Sequence, residues 1–520
     1  MSIIRFVCAV ILIQTLCTSS IQAQAQGTLE RQKQQQRKNQ AAQEKTAGDQ
    51  SALRLSSLFG NHMVLQQQTD APIWGTAQPG ANVSVSCSWN KAAAQTQADQ
   101  NGKWMTTVAT PAAGGPFKVV VKSGAESVTL KDVLAGEVWI CSGQSNMQWK
   151  MRGFGPKHFA DAVAKAKQPQ IRYCGVQQAL ALKPQDDVQA KWTVCSPKAV
   201  LNFSAVAYFF ANRLERELDV PIGLISTNWG GSPAEAWVKE TVIASDFPEF
   251  NKTLKQYPAF IEKFGAVHPR SPKMPKGIKF GHPSVLYNQM IHPLIPFSIR
   301  GVIWYQGESN VKNPDQYREL FPALIRSWRD EWSQGEFPFY FVQIAPFKYK
   351  TNPLPVALLR EAQFQSLEVP NTAMAVTMDI GNTDNIHPKQ KQPVGERLAL
   401  IALAKDYGRK DLVYSGPLYS GHKVQSGKIR LSFQHTGGGL ASRDQSALSH
   451  FTIAGRDRTF VAADAVIDGD SIVVSSDQVR QPIAVRFAWG NADSPNLMNR
   501  EGLPASSFRT DDWPIKPKGK

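Results

Sequence analysis

The sequence predicts an α/β protein whose central parallel sheet is covered by helices and flanked by two β-rich regions. Between residues 132 and 410, short apolar strands alternate with helical segments, a pattern typical of a parallel sheet with helices on both faces. On either side, residues 51–131 and 411–520 contain short strands separated by turn signals, which indicates sandwich-like β structure.

The amino terminus predicts export. Residues 1–25 contain Arg5, a short apolar run and an Ala-Gln-Ala cleavage site at 23–25, as in a signal peptide. The run is too short to span a bilayer, so we expect a secreted or periplasmic protein without a membrane span. Residues 26–50 are polar and rich in glutamine, which predicts a disordered linker, with a short solvated helix as the alternative.

Residues 51–131 predict a small N-terminal β-sandwich, because apolar runs recur every ten or so residues between turns. The strand candidates are Met63–Leu65, Ala71–Gly75, Val83–Cys87 and Phe117–Val121. Glycine, proline and asparagine mark the turns between them.

The central region predicts five strands and four helices. The strand candidates are short, apolar and largely β-branched or aromatic: Gly136–Ser142, Ile222–Thr227, Gly301–Tyr305, Phe339–Ile344 and Ala373–Met378. The helix candidates carry apolar residues at helical spacing: Ser204–Leu218, with Ser204 as N-cap, Gln316–Trp332, Val356–Leu367 and Pro393–Asp406. In such a sheet, functional groups gather at the carboxyl ends of the strands.

Residues 411–520 predict a second β-rich domain. Its strand candidates are Lys428–Phe433, His450–Ile453, Ser471–Ser475 and Ile483–Trp489.

Four cysteines remain after removal of a signal peptide: Cys87, Cys141, Cys174 and Cys195. Export would permit disulfides, so a Cys174–Cys195 bridge and buried free thiols both stay open. The lack of a C-x-x-C motif disfavours a zinc cluster or a thioredoxin-like redox site.

The formal charge of +16 does not indicate a nucleic-acid partner. The basic residues are spread thinly, without a basic stripe interleaved with aromatic side chains. The charge fits solubility or an acidic glycan.

Four strand exits carry side chains suited to chemistry. They comprise Ser142 to Asn146, then Trp229 to Ser232, then Gln306 to Asn310, and finally Asp384 to His387. A serine, glycine amides, side-chain amides and an Asp–His pair at one sheet edge are the components of nucleophilic acyl transfer. Each signal alone is weak: Ser142 rivals Ser145, and the paired glycines also suit an ordinary turn.

The spacing of Asp384 and His387 supports this chemistry. Residues three apart lie on one side of a turn, so the carboxylate can reach one imidazole nitrogen and leave the other to deprotonate a serine. The nine histidines include no H-E-x-x-H or H-x-H pair, which disfavours a zinc deacetylase.

Longer segments resemble a known family. GEVWICSGQSNMQW, NWGGSPAEAW, WYQGESN and DNIHP, together with LFGNHMVLQ and NLMNREGLPASSFRTD, extend over roughly residues 55 to 512. In order and content they resemble the sialate O-acetylesterase family of SGNH hydrolases. The resemblance implies a flavodoxin-like SGNH domain flanked by β-sandwich-like regions, and ester hydrolysis without metal or cofactor.

The resemblance also implies roles by position. Ser145 is the expected nucleophile, His387 the general base and Asp384 the residue that orients His387. The oxyanion hole would use the Ser145 amide and a glycine amide, with Gly231 favoured over Gly230.

A side-chain amide would complete the oxyanion hole. Many SGNH hydrolases use an asparagine in G-x-N-D here, whereas this chain has Gly307-Glu308-Ser309-Asn310. We expect Gln306 to be the donor, with Asn310 in reserve, and Glu308 and Asn146 as further candidate residues.

The expected partner is an acetylated carbohydrate, most favourably an acetylated sialic acid. The alternatives are a polysaccharide acetylesterase, for example for acetylxylan, and a non-catalytic glycan-binding protein. Four aromatic residues are candidates for a sugar platform or for the core: Trp149, Trp229, Trp237 and Tyr287.

Overall fold

The structure is a computed structural model, which describes residues 52–155, 157–271, 275–350 and 354–515. The predicted signal peptide and linker lie outside these ranges. Within them, no helix combines the length and the apolar character that crossing a membrane requires.

Among the described residues, eight strands lead up to the first strand exit: β1 (Arg54–Leu55), β2 (Val64–Gln66), β3 (Asp70–Thr76), β4 (Asn82–Cys87), β5 (Ala94–Gln97), β6 (Lys103–Ala109), β7 (Gly114–Ser123) and β8 (Glu126–Gly143). β1, β3 and β6 form an antiparallel sheet, whereas β4, β5 and β7 connect through β8 to the large central sheet. Alternating burial of Val83, Val85 and Cys87 along β4 shows the half-buried face that period-two patterning predicts.

Strand β8 joins the N-terminal region to the central sheet. Its first part pairs antiparallel with β7 and its last part lies parallel to the central strands. Burial alternates up to Asp132 and is continuous from Val133 to Gly143, because helices and loops cover both faces of a parallel sheet. The predicted boundary between residues 131 and 132 therefore falls inside one unbroken strand.

The described part of the central region contains eight further strands: β9 (Ile171–Val176), β10 (Ala179–Ala181), β11 (Ala190–Val194), β12 (Ile222–Asn228), β13 (Val267–Pro269), β14 (Gly301–Tyr305), β15 (Phe339–Val342) and β16 (Thr372–Ala375). The central order is β11-β9-β12-β8-β14-β15-β16. Neighbours are parallel except at β11–β9. Along this order of seven strands, the antiparallel pair therefore lies at the β11 edge.

The helices follow the strands. They are α1 (Ser145–Gln148), α2 (Ala160–Ala164), α3 (Pro197–Val200), α4 (Ala205–Leu218), α5 (Glu240–Asp246), α6 (Asn251–Leu254), α7 (Tyr257–Phe264), α8 (Pro314–Trp332), α9 (Leu354–Gln365) and α10 (Lys391–Asp406). The Ser204 side chain accepts a hydrogen bond from the Ala207 amide at the start of α4, the N-cap that the sequence predicts.

Helices cover both faces of the sheet. α4 and α10 pack together on one face, and α8 and α9 pack together on the other. Along β8, Trp139 and Cys141 join the core that contains α4 and α10, while Val138 and Ile140 join the opposite core. In α10, a Cβ atom on Gly395 would lie 2.6 Å from the Val206 carbonyl oxygen. Glycine is therefore required for the close approach of α10 to α4.

Up to residue 515, the C-terminal region contains ten strands: β17 (Leu418–Gln425), β18 (Lys428–Gln434), β19 (Leu440–Ser442), β20 (Phe451–Ala454), β21 (Val461–Ala462), β22 (Asp464–Asp468), β23 (Ser471–Ser475), β24 (Ala484–Phe487), β25 (Leu497–Asn499) and β26 (Phe508–Arg509). Two antiparallel four-stranded sheets, β17-β18-β23-β22 and β21-β20-β24-β26, form its frame.

The C-terminal region is fastened to α9. The fully buried Arg360 side chain donates hydrogen bonds to the carbonyls of Ala488, Gly490 and Asn491. Beside it, Glu361 pairs with Arg509 through two bonds of 2.6 and 3.0 Å. These contacts make the region part of one packed unit with the central sheet.

The four described cysteines are buried free thiols. The register places Trp192, rather than Cys195, opposite Cys174, and the two cysteines belong to different cores. Since successive side chains alternate between the faces of a sheet, the Cys174–Cys195 bridge that the sequence left open does not form.

Candidate active site

The site lies at the end of β8, the strand on whose two sides β12 and β14 are added in opposite directions. Gly143 at the end of β8 is level with Asn228 on β12 and Tyr305 on β14, so three strand exits meet. Gly143 has a φ of +130°, and a Cβ there would lie 2.2 Å from the Tyr305 carbonyl oxygen. Only glycine permits this turn, which delivers Ser145 to the first position of α1.

The structure brings Ser145 and His387 together. Ser145 Oγ lies 2.9 Å from His387 Nε2, although the two residues are 242 positions apart in the sequence. Burial, followed by the charge of Lys391, lowers the pKa of His387. A neutral imidazole at this distance can accept the serine proton.

Trp149 covers the imidazole. Its ring centre lies 5.2 Å from that of His387, with the rings tilted by 38°. Trp149 is the half-exposed member of the predicted aromatic set, whereas Trp229, Trp237 and Tyr287 are buried and belong to the core.

Asp384 is not brought into contact with His387. Its carboxylate is exposed, and within the described ranges it forms no hydrogen bond or ion pair with the imidazole. The reason is local: Asn382 Oδ1 accepts from the amides of Asp384 and Asn385, and Asn385 Oδ1 accepts from the His387 amide. These side-chain-capped turns leave the carboxylate in solvent.

The glycine pair lies against the nucleophile. A Cβ atom on Gly230 would lie 3.3 Å from Ser145 Cβ. The Gly230 amide is occupied, since it donates to Gln148 Oε1 at 2.6 Å. Across the described residues, the amides of Ser145 and Gly231 have no such acceptor. Backbone N–H groups without an acceptor are the kind of donor that binds an oxyanion.

The two candidate side-chain amides bind each other. Gln306 Nε2 donates to Asn310 Oδ1 at 2.6 Å and to the Ser232 carbonyl at 3.2 Å. Asn310 Nδ2 donates to Glu235 at 2.9 Å. Both side chains are buried, so either would have to exchange a bond within the protein to reach a substrate.

Asn146 is the centre of a buried polar group that includes Glu308. Asn146 Nδ2 donates to Glu308 Oε1 at 2.5 Å, and its Oδ1 accepts from Lys391 Nζ at 2.5 Å. We call Lys391, Asn146 and Glu308 the Asn146 network. Lys391 is not among the residues that the sequence predicts for the site. Its signal is a lysine in the first turn of a helix, where the helix dipole disfavours a cation.

A hollow of about 320 Å³ opens beside the site, lined by Gln148, Trp149, Lys150, Arg152 and Gly153. We call it the cation hollow. Burial and the like charge of Arg152 lower the pKa of Lys150. Among the described residues, neither side chain has a hydrogen-bond or ion-pair partner. The described residues also contain no cluster of three or more His, Cys, Asp or Glu side chains that could hold a metal ion.

Comparisons with known proteins identify the family of this chain. Residues 135–404 match the family model described as carbohydrate esterase, sialic acid-specific acetylesterase. The chain is 32% identical to sialate O-acetylesterase of Pongo abelii over 477 residues, which cover 84% of this chain and 87% of that protein. It is 34% identical to the Homo sapiens sialate O-acetylesterase over 400 residues, covering 70% and 73%.

A solved structure is also similar. A carbohydrate acetylesterase from Xanthomonas citri superposes with a TM-score of 0.79 at 38% identity, covering 88% of this chain and all of that one. The family match and these relatives show that the chain is a carboxylic-ester hydrolase. The chain belongs to the sialic acid-specific acetylesterase family of carbohydrate esterases.

Proposed function

We propose that this protein is a carbohydrate O-acetylesterase with Ser145 as nucleophile and His387 as general base. The observation that carries the proposal is the 2.9 Å contact between Ser145 Oγ and His387 Nε2 at the meeting of three strand exits. The strand order of β8, β12, β14, β15 and β16, which is 2-1-3-4-5, supports a flavodoxin-like SGNH domain.

The proposed reaction is two acyl transfers. His387 Nε2 takes the Ser145 hydroxyl proton while Oγ bonds to the acetyl carbon. The bond to the sugar oxygen then breaks, and the sugar leaves with that proton. In the second half, water gives a proton to His387 and bonds to the acetyl carbon. The Oγ–carbon bond breaks, acetate leaves, and Oγ regains its proton.

The proposed oxyanion hole uses the amides of Ser145 and Gly231, because neither amide has an acceptor among the described residues, whereas the Gly230 amide is held by Gln148. Gln306 is the proposed third donor and Asn310 the reserve. Their mutual bond means that Gln306 has to release one acceptor as charge develops.

Asp384 is the proposed orienting carboxylate of the triad. Catalytic hydrogen bonds are often long in unliganded enzymes and tighten when substrate binds. The position of Asp384, three residues before His387 in a turn, supports this role. Because an orienting residue acts through His387, its contribution to kcat would be smaller than that of Ser145 or His387.

The cation hollow supports an acetylated sialic acid as substrate, rather than acetylxylan. Sialic acids carry a carboxylate and xylan is neutral. Lys150 and Arg152 offer two uncompensated positive charges next to Trp149, whose ring can pack against a sugar. A charged hydrogen bond between a cation and a carboxylate contributes about 1.5–3 kcal/mol. Export to the cell exterior or periplasm fits such a substrate and remains part of the proposal.

Variants of the hollow test the substrate. We expect Lys150→Gln and Arg152→Gln each to raise KM for O-acetylated sialic acid by about tenfold. The same variants should leave turnover of acetylated xylo-oligosaccharide and of 4-nitrophenyl acetate unchanged. Lys423→Gln, an exposed lysine of the C-terminal region, is the control. Equal effects on charged and neutral substrates would contradict the carboxylate assignment.

A serine-reactive phosphonate separates the esterase from the remaining alternative, a non-catalytic glycan-binding protein. Labelling of Ser145 in the folded protein is expected for the esterase. Folded protein that hydrolyses none of these esters and resists labelling would overturn the proposal.

A further inference from the structure

Lys391 occupies an unusual position. Its side chain is fully buried at the first residue of α10, where the positive end of the helix dipole opposes a cation. Its ammonium group donates to Asn146 Oδ1 at 2.5 Å and lies 5.4 Å from the centre of the Tyr305 ring. Burial of an ammonium group costs several kcal/mol unless partners compensate it, so its partners indicate what it does.

The Asn146 side chain connects this cation to an anion. Its oxygen faces Lys391, and its amide nitrogen donates to Glu308 Oε1 at 2.5 Å. The dipole of the amide is thus aligned between the two charges, which strengthens both bonds in a low-dielectric interior. Glu308 Oε2 is buried and has no partner of its own among the described residues, so Asn146 is the side chain that binds this carboxylate.

The same amide nitrogen also contacts the loop that carries His387. Asn146 Nδ2 donates to the Ile386 carbonyl at 3.1 Å. Asn146 directly follows Ser145, and Ile386 directly precedes His387. This bond therefore joins the two residues adjacent to the reacting pair, at a site where Asp384 makes no contact with the imidazole.

We propose that Lys391 and Glu308, acting through Asn146, hold the His387 loop against the nucleophile turn, and that Lys391 is a positioning residue for the Ser145–His387 pair. The inference rests on the proposed function and deepens it. Burial lowers the pKa of Lys391 to about 7 and raises the pKa of Glu308, and each charge opposes that shift in its partner. Removal of one charge therefore favours the neutral form of the other and weakens its bond to Asn146.

The charge of Lys391 also acts on the imidazole, which gives a readout that a purely structural role would not produce. The charged groups around His387 are Lys391 from α10, Glu308 from the turn after β14, Asp384 on its own loop and Lys150 beyond Trp149. Of these, Lys391 is the charge that lowers the pKa of His387. Removal of Lys391 raises that pKa, so His387 becomes protonated at higher pH and the acid limb of activity moves upward.

The test uses Lys391→Met, Glu308→Gln and the double variant, assayed with 4-nitrophenyl acetate across pH. We expect Lys391→Met to lower kcat by about 10- to 100-fold with KM almost unchanged, since a displaced base costs up to about 10²-fold, and to shift the acid limb upward. The double variant should recover part of the loss, because it restores charge balance. Lys405→Met, at the exposed end of the same helix, should match wild type.

A folded Lys391→Met protein with wild-type kcat and pH profile would overturn the inference. If this variant does not fold, Glu308→Gln decides alone: reduced kcat at unchanged KM supports the network, and unchanged kcat overturns it. An inactive wild type that resists phosphonate labelling would instead overturn the proposed function, so the two failures are distinguishable.

Discussion

Two serines three residues apart give the sharpest test at the level of single residues. Ser145 Oγ contacts His387 Nε2, whereas Ser142 is fully buried and its Oγ has no partner among the described residues. We expect Ser145→Ala to lower kcat by roughly 10⁶-fold, as in other serine hydrolases. Ser142→Ala should retain activity, because its hydroxyl supports nothing in the site.

The measurement is ester hydrolysis with each purified variant, after circular dichroism has established equal folding. If Ser145→Ala retained activity and Ser142→Ala lost it, Ser142 would be the nucleophile instead.

Individual residues show what the sequence could predict about the site. Each of Ser145 and His387 is a weak signal alone, and they were selected because four strand exits carry matching groups and because the longer segments resemble a known family. The sequence favoured Gly231 over Gly230. It could not show that the Gly230 amide is held by Gln148, because that bond joins distant segments of the chain. Lys391 was missed because a lysine is normally exposed, and only the tertiary structure encloses it.

At the level of elements, Gly395 controls how closely two helices pack. An alanine Cβ would lie 2.6 Å from the Val206 carbonyl oxygen and 2.7 Å from Phe209 Cβ, so α10 would have to move away from α4. We expect Gly395→Ala to lower the free energy of unfolding by about 1–3 kcal/mol. Since α10 begins at Lys391, kcat should fall as well.

Chemical denaturation and ester hydrolysis measure the two effects. Gly60→Ala is the control, because a Cβ there meets nothing within 4 Å. Equal stability of the two variants would show that the interface between α4 and α10 accommodates an additional methyl group.

The elements themselves were predicted unevenly. Gly301–Tyr305 was predicted with the bounds of β14, and the Ser204 cap of α4 is confirmed. The start of β8 was predicted ten residues late, at Gly136 instead of Glu126. Its first half is polar and alternating because it pairs with β7, and its second half is apolar because it lies between the parallel central strands. In the sequence the two halves therefore resemble two separate elements. Strands β9 and β11 were not predicted, since their charged residues obscure the pattern of a sheet edge.

At the scale of the whole molecule, Arg360 fastens the C-terminal region to the central sheet. Its guanidinium group donates to three carbonyls of that region from a fully buried position. Arg360→Met leaves these carbonyls unpaired, and each unsatisfied buried acceptor costs about 1–3 kcal/mol. We therefore expect a lower Tm and separate unfolding of the C-terminal region.

Calorimetry distinguishes one transition from two. Arg456→Met, an exposed arginine in the same region, should unfold like wild type. A single transition at the wild-type Tm in Arg360→Met would show that the region is held by other contacts.

The unbroken strand β8 also sets an order of assembly during synthesis. Its hairpin with β7 closes between Ser123 and Glu126, so both partners leave the ribosome together, and local pairs form fastest. The parallel neighbours β12 and β14 are translated only later. The nascent chain therefore carries the central strand of the catalytic sheet, with its serine turn at the tip, as a template on which the later strands dock.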